Sequence, residues 1–426
     1  MKLSARIQEI RRGFHPTFWV ANGMELFERL AFYGQQIIMG IYFRNKLGFT
    51  ETEAGSLSGI FGGLIYLLPI LGGTLADRFG FRRAFMIAFS MLAVGYFLIG
   101  SLGMSAFASM YSGIPLYSIL AIFLVFTAIG GSFIKPSVLG TVAVTSTPEN
   151  KSLGYAIYYW LVNIGAALGP TIAYVVRDSI GVEYVYLVSA VSCLAMLVVN
   201  ATFYREVQGP GAAPTESLAA KIRNLFVVLA NIRFMVFLLI FSLFWIMFWQ
   251  EFIIIPYFIT DFIDKDAPFE IIQSWSGAGA IIVLQLVVNR MTKHVPTARA
   301  IVLGFGVSTL CWLIIGLHPS IPTIAAGIVV FAIGEMTQAP RYYEYISELA
   351  PPGQQGLYQG YAFLPIAIAW FVGGPLGGWM YTVYAKQSGT PSTIWFVLFG
   401  VGVLATALMW VYNTVVAAQG ARKAEH

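Results

Sequence analysis

The chain has 426 residues, of which 58% are hydrophobic, 15% aromatic and only 11% charged, whereas soluble domains carry roughly 25% charged side chains. Its 25 basic and 20 acidic residues cannot cover the surface of the two or three soluble domains that this length would otherwise make. Soluble enzymes, nucleic-acid binders and disordered scaffolds are thereby excluded, and the net charge of +5 has to be read from where the charges lie between apolar runs.

A bilayer core about 30 Å thick needs about 20 helical residues. Apolar runs of that length, bounded by polar or Gly/Pro punctuation, predict twelve spans in chain order: 18–43, 54–75, 84–103, 115–147, 153–176, 183–204, 232–260, 270–292, 298–317, 322–348, 357–382 and 392–416. The segments of about 10 residues with alternating polarity that mark an outer-membrane barrel are absent. The expected class is an all-α integral membrane protein. The run after Lys2, Arg6, Arg11 and Arg12 is too long and too charged for a signal peptide, so the first span is expected to stay in the mature protein.

With the N-terminus inside, 17 Lys and Arg fall in inner loops, five fall in outer loops (Arg44, Lys46, Arg177, Lys265, Lys386), and Arg29, Lys135 and Arg341 fall within spans. This bias puts both termini in the cytoplasm. It is topological and implies no nucleic-acid partner. The organisation reads as 1–204, an N-terminal six-helix bundle; 205–231, a cytoplasmic linker opening on Gly209, Pro210, Gly211 and Pro214 and ending in a short amphipathic helix; and 232–426, a C-terminal six-helix bundle. Cys193 and Cys311 lie inside apolar runs and read as packing residues, and no metal site is expected.

Ionisable groups at bilayer depth cost several kcal/mol unless paired or hydrated, so each is a functional candidate. Span 1 holds Glu25, Glu28 and Arg29, span 4 Lys135, span 7 Glu251, and span 10 Glu335, with Arg341 and Glu344 further along. Counting from the inner ends puts Arg29, Lys135 and Glu335 each about 17 Å deep at 1.5 Å per residue, near mid-bilayer. One cavity with cationic Arg29 and Lys135 facing anionic Glu335 would suit a zwitterion. Glu251 lies nearer the outer end, where hydration is easier. Arg341 and Glu344 lie towards the inner end and read as a gate or an interfacial pair. Tyr33, Tyr66, Tyr158 and Asn163 are further candidates to line the cavity.

Gly73 to Arg83, with Asp77, Arg78, Arg82 and Arg83, resembles the signature between spans 2 and 3 of the major facilitator superfamily. There a carboxylate at a helix end can pair with the arginines of a tight basic turn, as a latch that breaks between states. Four further stretches resemble the proton-dependent oligopeptide transporter family: Glu25-Leu-Phe-Glu28-Arg29 with Tyr33 and Gly34, Gly130-Gly131 through Lys135-Pro136, Tyr155 to Gly165, and Gly334-Glu335 through Ala350-Pro351. The resemblance implies the major facilitator fold, with twelve helices in two halves and substrate near the midplane between them. It also implies that Arg29 and Lys135 meet a peptide carboxylate, that Glu335 meets its amino group, and that Glu28 exchanges a proton while pairing with Lys135. Trp249 stands where the family usually carries glutamate and becomes a candidate for substrate contact; Glu251, about 200° further round the helix, is a candidate for relocated proton coupling with Glu25 and Glu28.

The expected function is a monomeric proton-coupled symporter in the plasma membrane, or the inner membrane of a bacterium. It would import di- and tripeptides or peptide-like zwitterions, with protons as coupling ion and no cofactor. Transport of a small anion or a drug, by antiport in the second case, and a non-transporting sensor remain alternatives. No triad or phosphate loop points to an enzyme.

Overall fold

The computed structural model describes residues 13–207, 227–351, 354 and 358–424, except for the side chains of Thr74, Asp77, Pro148 and 416–424. Its helices are α1 (Pro16–Ile41), α2 (Glu51–Leu67), α3 (Pro69–Phe79), α4 (Phe81–Ser101), α5 (Leu116–Gly131), α6 (Ile134–Thr145), α7 (Lys151–Ser179) and α8 (Glu183–Phe203). They continue as α9 (Ile232–Phe258), α10 (Phe269–Ser274), α11 (Ala280–Thr292), α12 (Thr297–Leu317), α13 (Ile321–Leu349), α14 (Leu364–Met380) and α15 (Thr393–Ala424). Among the described residues the only β pairing is an isolated bridge between Phe14 and Ser146.

Among the described residues, eleven stretches are long and apolar enough to cross a membrane. The twelfth is α1: its 26 residues extend about 39 Å, and what sets it apart is the load of Glu25, Glu28 and Arg29. Observed span ends lie mostly within three residues of those expected. Span 11 differs, because its helix begins at Leu364 with Pro365 in the first turn, where proline's fixed φ and missing N–H are tolerated; residues 360–363 form a turn.

Two compact units emerge. One comprises Met1–Tyr42 and Ile60–Lys221, the other Phe43–Gly59 and Ile222–His426. Of the amphipathic helix expected over 217–231, residues 217–226 lie outside the described residues. In the first unit α1 packs against α7 and α8, and α4 against α5 and α8. In the second, α12 packs against α13 and α15, and α9 against α14 and α15.

Breaks in two helices shape the first unit. Pro136 lacks an N–H and its ring clashes with the carbonyl four residues back, so span 4 parts at Ser132 and Phe133 into α5 and α6. Span 2 parts at Leu68, ahead of Pro69. The two breaks meet: a Cβ on Gly72 would lie 2.7 Å from the Ser132 carbonyl oxygen, so only glycine allows this approach. Lys135 is thereby fixed in the first turn of α6.

Candidate functional site

The α1 helix carries Glu25, Glu28, Arg29 and Tyr33; Glu25, Arg29 and Tyr33 follow at spacings of four along one side of the helix, with Glu28 next to Arg29 in sequence. The three charged residues are buried at 0%, 1% and 4% exposure, so pairing is what makes them tolerable there. Arg29 supplies it. Its Nε and Nη2 each lie 2.5 Å from Glu28 Oε2, and Nε lies 3.4 Å from Glu25 Oε1. The guanidinium carbon sits 4.7 Å from the Phe32 ring centre and 5.9 Å from that of Tyr33, so the cation also meets aromatic faces.

Lys135 belongs to the same cluster. Its Nζ lies 4.8 Å from the centre of the Tyr66 ring, and Glu25, Glu28 and Arg29 are within electrostatic reach of it. Two carboxylates and two cations thus balance in formal charge. Tyr158, on α7, is within electrostatic reach of Glu25, Glu28, Arg29 and Tyr33. Asn163 lies on the same helix and is half-buried; its side-chain amide donates to the Tyr159 carbonyl at 2.9 Å. Gly165 decides how close α7 comes, because a Cβ there would lie 2.5 Å from the Arg29 Cβ. The first unit therefore gathers Glu25, Glu28, Arg29, Tyr33, Tyr66, Lys135 and Tyr158.

In the second unit Glu251 and Glu335 lie within electrostatic reach of each other, from α9 and α13. Glu251 does not enjoy the easier hydration its position along the helix implied: it is only 4% exposed, because α9 is wrapped by its neighbours over this stretch. Trp249 is 2% exposed and its ring lies 4.3 Å from that of Trp370. Gly334, beside Glu335, abuts Ser308 and the Gly304 carbonyl, so α13 and α12 touch backbone to backbone at the level of the carboxylate.

The expected gating residues fall elsewhere. Arg341 Nη1 lies 3.0 Å from Glu344 Oε2, while Nη2 donates to the carbonyls of Thr292 and Lys293 at 3.4 and 3.3 Å. Arg341 therefore caps the C-terminal end of α11, where a cation suits the helix dipole. At the turn after α3, Arg78, Arg82 and Arg83 are exposed; Arg82 donates to the Ala201 carbonyl at 2.6 Å, and the Asp77 side chain lies outside the described residues.

Two groups of residues escape the sequence reading. Glu206 accepts from the backbone N–H groups of Phe81 and Arg82 at 2.9 and 2.8 Å, capping α4; the available signal is a helix opening on Gly80 with no capping side chain of its own. In the second unit Arg44 meets Asp261 at 2.7 and 2.9 Å. Tyr381 donates to the same carboxylate at 2.8 Å, Lys386 approaches it at 3.4 Å, and Arg44 and Lys386 each lie 3.6 Å from Glu51. Arg44, Asp261, Tyr381 and Lys386 all sit on π-helical turns, at Tyr42–Lys46, Ile259–Ile263 and Tyr381–Gln387, irregularities that occur frequently at functional sites.

Eleven candidate spans among the described residues, together with the buried Glu25, Glu28 and Arg29 cluster on α1, define a multi-pass helical membrane protein. The Major Facilitator Superfamily model matches residues 24–282 and 266–426, and the chain belongs to that superfamily. Among curated proteins it is 28% identical over 223 residues to dipeptide and tripeptide permease B of Photorhabdus asymbiotica, covering 52% of this chain and 43% of the permease. Against permease B of Salmonella typhimurium the identity is 28% over 224 residues, again 52% and 43%. The matches thus span less than half the length of these relatives. A POT family transporter solved with 5-aminolevulinic acid superposes with a TM-score of 0.74 at 18% identity, over 94% of this chain and 96% of that one. A variant of a nucleoside transporter superposes with 0.77 at 12%, over 93% and 99%. Likeness at these identities establishes the fold and does not separate peptides from nucleosides.

Proposed function

We propose that this chain is a proton-coupled symporter that imports di- and tripeptides or peptide-like zwitterions by alternating access, acting as a monomer in the plasma membrane with both termini in the cytoplasm. The observation that carries it is the buried cluster on α1. Glu28 is held by Arg29, with Lys135 within electrostatic reach, so adding a proton to one carboxylate leaves a surplus of positive charge, and a substrate carboxylate restores the balance. In the second unit the surplus has the opposite sign: Glu251 and Glu335 can receive an ammonium group. Curated relatives named dipeptide and tripeptide permease support the substrate class. Protons are the only coupling ion in this reading; it involves no cofactor and no enzymatic step.

The test is uptake of a labelled dipeptide by proteoliposomes, with and without an imposed inward proton gradient. Uptake that rises with the gradient, and that fails for an N-acetylated dipeptide and for Glu335→Gln, is expected. Uptake indifferent to the gradient removes proton coupling. Equal handling of blocked and free dipeptides removes Glu335 from recognition of the amino group.

A further inference from the structure

The first unit carries a groove of about 490 Å³ between α1, α7 and α8, away from the charged cluster. Its floor is the close crossing of α1 and α7, where a Cβ on Gly34 would lie 3.0 Å from the Gly169 carbonyl oxygen. Its walls are aliphatic and aromatic, with Phe27, Ile172, Val188 and Val191 exposed by 48%, 44%, 40% and 58%. The two hydroxyls that line it are satisfied internally: Ser189 donates to the Ala31 carbonyl at 3.2 Å and Ser192 to the Phe27 carbonyl at 3.3 Å. A ligand here meets hydrocarbon and no polar anchor.

We propose that this groove holds one acyl chain of a phospholipid. Both walls belong to helices that cross the membrane, and the groove is continuous with their outward apolar face, where Val175, Leu194 and Val198 are 56%, 54% and 57% exposed. Lipid tails are thus the medium at its mouth. The lining on α7 runs from Gly169 to Val176 and that on α8 from Val185 to Met196, about 10 and 16 Å at 1.5 Å per residue. That is the length of part of one chain within a hydrocarbon core about 30 Å thick. The chain would lie behind α1, against Phe27 and Ala31, and so support from the back the helix that also carries Glu28 and Arg29.

The experiment compares the purified full-length wild type with Ala195→Trp and Val188→Trp, which fill the groove, and with Leu194→Trp, which adds the same ring to the outward face. Each is extracted in maltoside detergent, incubated with dioleoyl phosphatidylglycerol or dioleoyl phosphatidylethanolamine, and examined by native mass spectrometry and thermal unfolding. The wild type and Leu194→Trp are expected to retain one more tightly held lipid than both groove variants, and to gain several degrees in unfolding temperature that the groove variants do not gain. If Ala195→Trp fails to fold, Val188→Trp carries the comparison. Equal lipid retention in all four proteins overturns the proposal. So does loss of the lipid in Leu194→Trp, which would mark ordinary annular lipid, or retention of a second protein copy at the groove in place of lipid.

Discussion

Arg44 grips Asp261 with both terminal nitrogens, Nη1 to Oδ2 at 2.7 Å and Nη2 to Oδ1 at 2.9 Å. The pair is largely sheltered, at 11% and 21% side-chain exposure, and the guanidinium carbon lies 4.4 Å from the Tyr257 ring centre. Parallel bonds of this kind are among the stronger protein hydrogen bonds. Asp261→Asn is therefore expected to lower stability by about 1.5–3 kcal/mol, seen as a fall in thermal unfolding temperature in detergent. Arg44→Lys should not restore it, since an ammonium cannot span both oxygens. A double-mutant cycle that returns no coupling between the two positions would refute the assignment.

That pair also shows where the sequence stops being readable. Arg44 and Lys386 look like ordinary outer-loop charges, and Arg44 stands 217 positions from its partner; only folding reveals that π-helical turns bring them to one carboxylate. Glu25 and Arg29 are the opposite case, because a spacing of four along one helix makes their contact legible from residue numbers alone, although the shorter contact of Arg29 with its neighbour Glu28 is not. The spans are legible for a similar reason, the bilayer imposing a run length that composition exposes. The start of α14 is not, because apolar residues such as Leu357 and Tyr361 extend the run upstream of the proline that begins the helix. The burial of Glu251 is not legible either, because depth along a helix does not say which side its neighbours cover.

Arg29 makes a second test possible. It reaches Glu28 through two nitrogens, approaches Glu25, and lies over Phe32. A lysine offers a single point charge and cannot reproduce these contacts together. Arg29→Lys is expected to leave the fold intact but to reduce dipeptide uptake at least about tenfold, equivalent to about 1.4 kcal/mol. The check is initial uptake rate in proteoliposomes at matched protein density; a variant that transports at the wild-type rate would show that the charge alone suffices.

Gly165 and Gly23 form a matched pair of tests on the packing around that cluster. A methyl group on Gly165 would fall 2.5 Å from the Arg29 Cβ, whereas one on Gly23 meets nothing within 4 Å. Gly165→Ala should force α7 away from α1 and cost about 1–3 kcal/mol, with weakened dipeptide binding as well, since Tyr158 moves with the helix. Gly23→Ala lies inside α1 and should be neutral or stabilising by up to about 1 kcal/mol through helix propensity. Thermal unfolding of both variants, with dipeptide titration, checks the contrast; equal effects would contradict the proximity of α7 to Arg29.

Pro136 gives the most direct test of how the backbone positions a charge. By breaking span 4 at Ser132 and Phe133, it sets the rotation and depth of Lys135 on α6 and so the 4.8 Å approach of its Nζ to the Tyr66 ring. With alanine the N–H at position 136 can bond to the Ser132 carbonyl, and the two half-helices are free to join. Pro136 lies in the first turn of α6, where proline is tolerated and alanine fits equally, so Pro136→Ala should not unfold the protein. It should turn Lys135 away from Tyr66 and the α1 carboxylates, and reduce dipeptide binding about as much as Lys135→Ala does. If the break exists to place the lysine, the double variant Pro136→Ala with Lys135→Ala should bind no worse than either single variant. Losses that add in full would mean that the break serves the crossing of Gly72 with Ser132 and not the lysine.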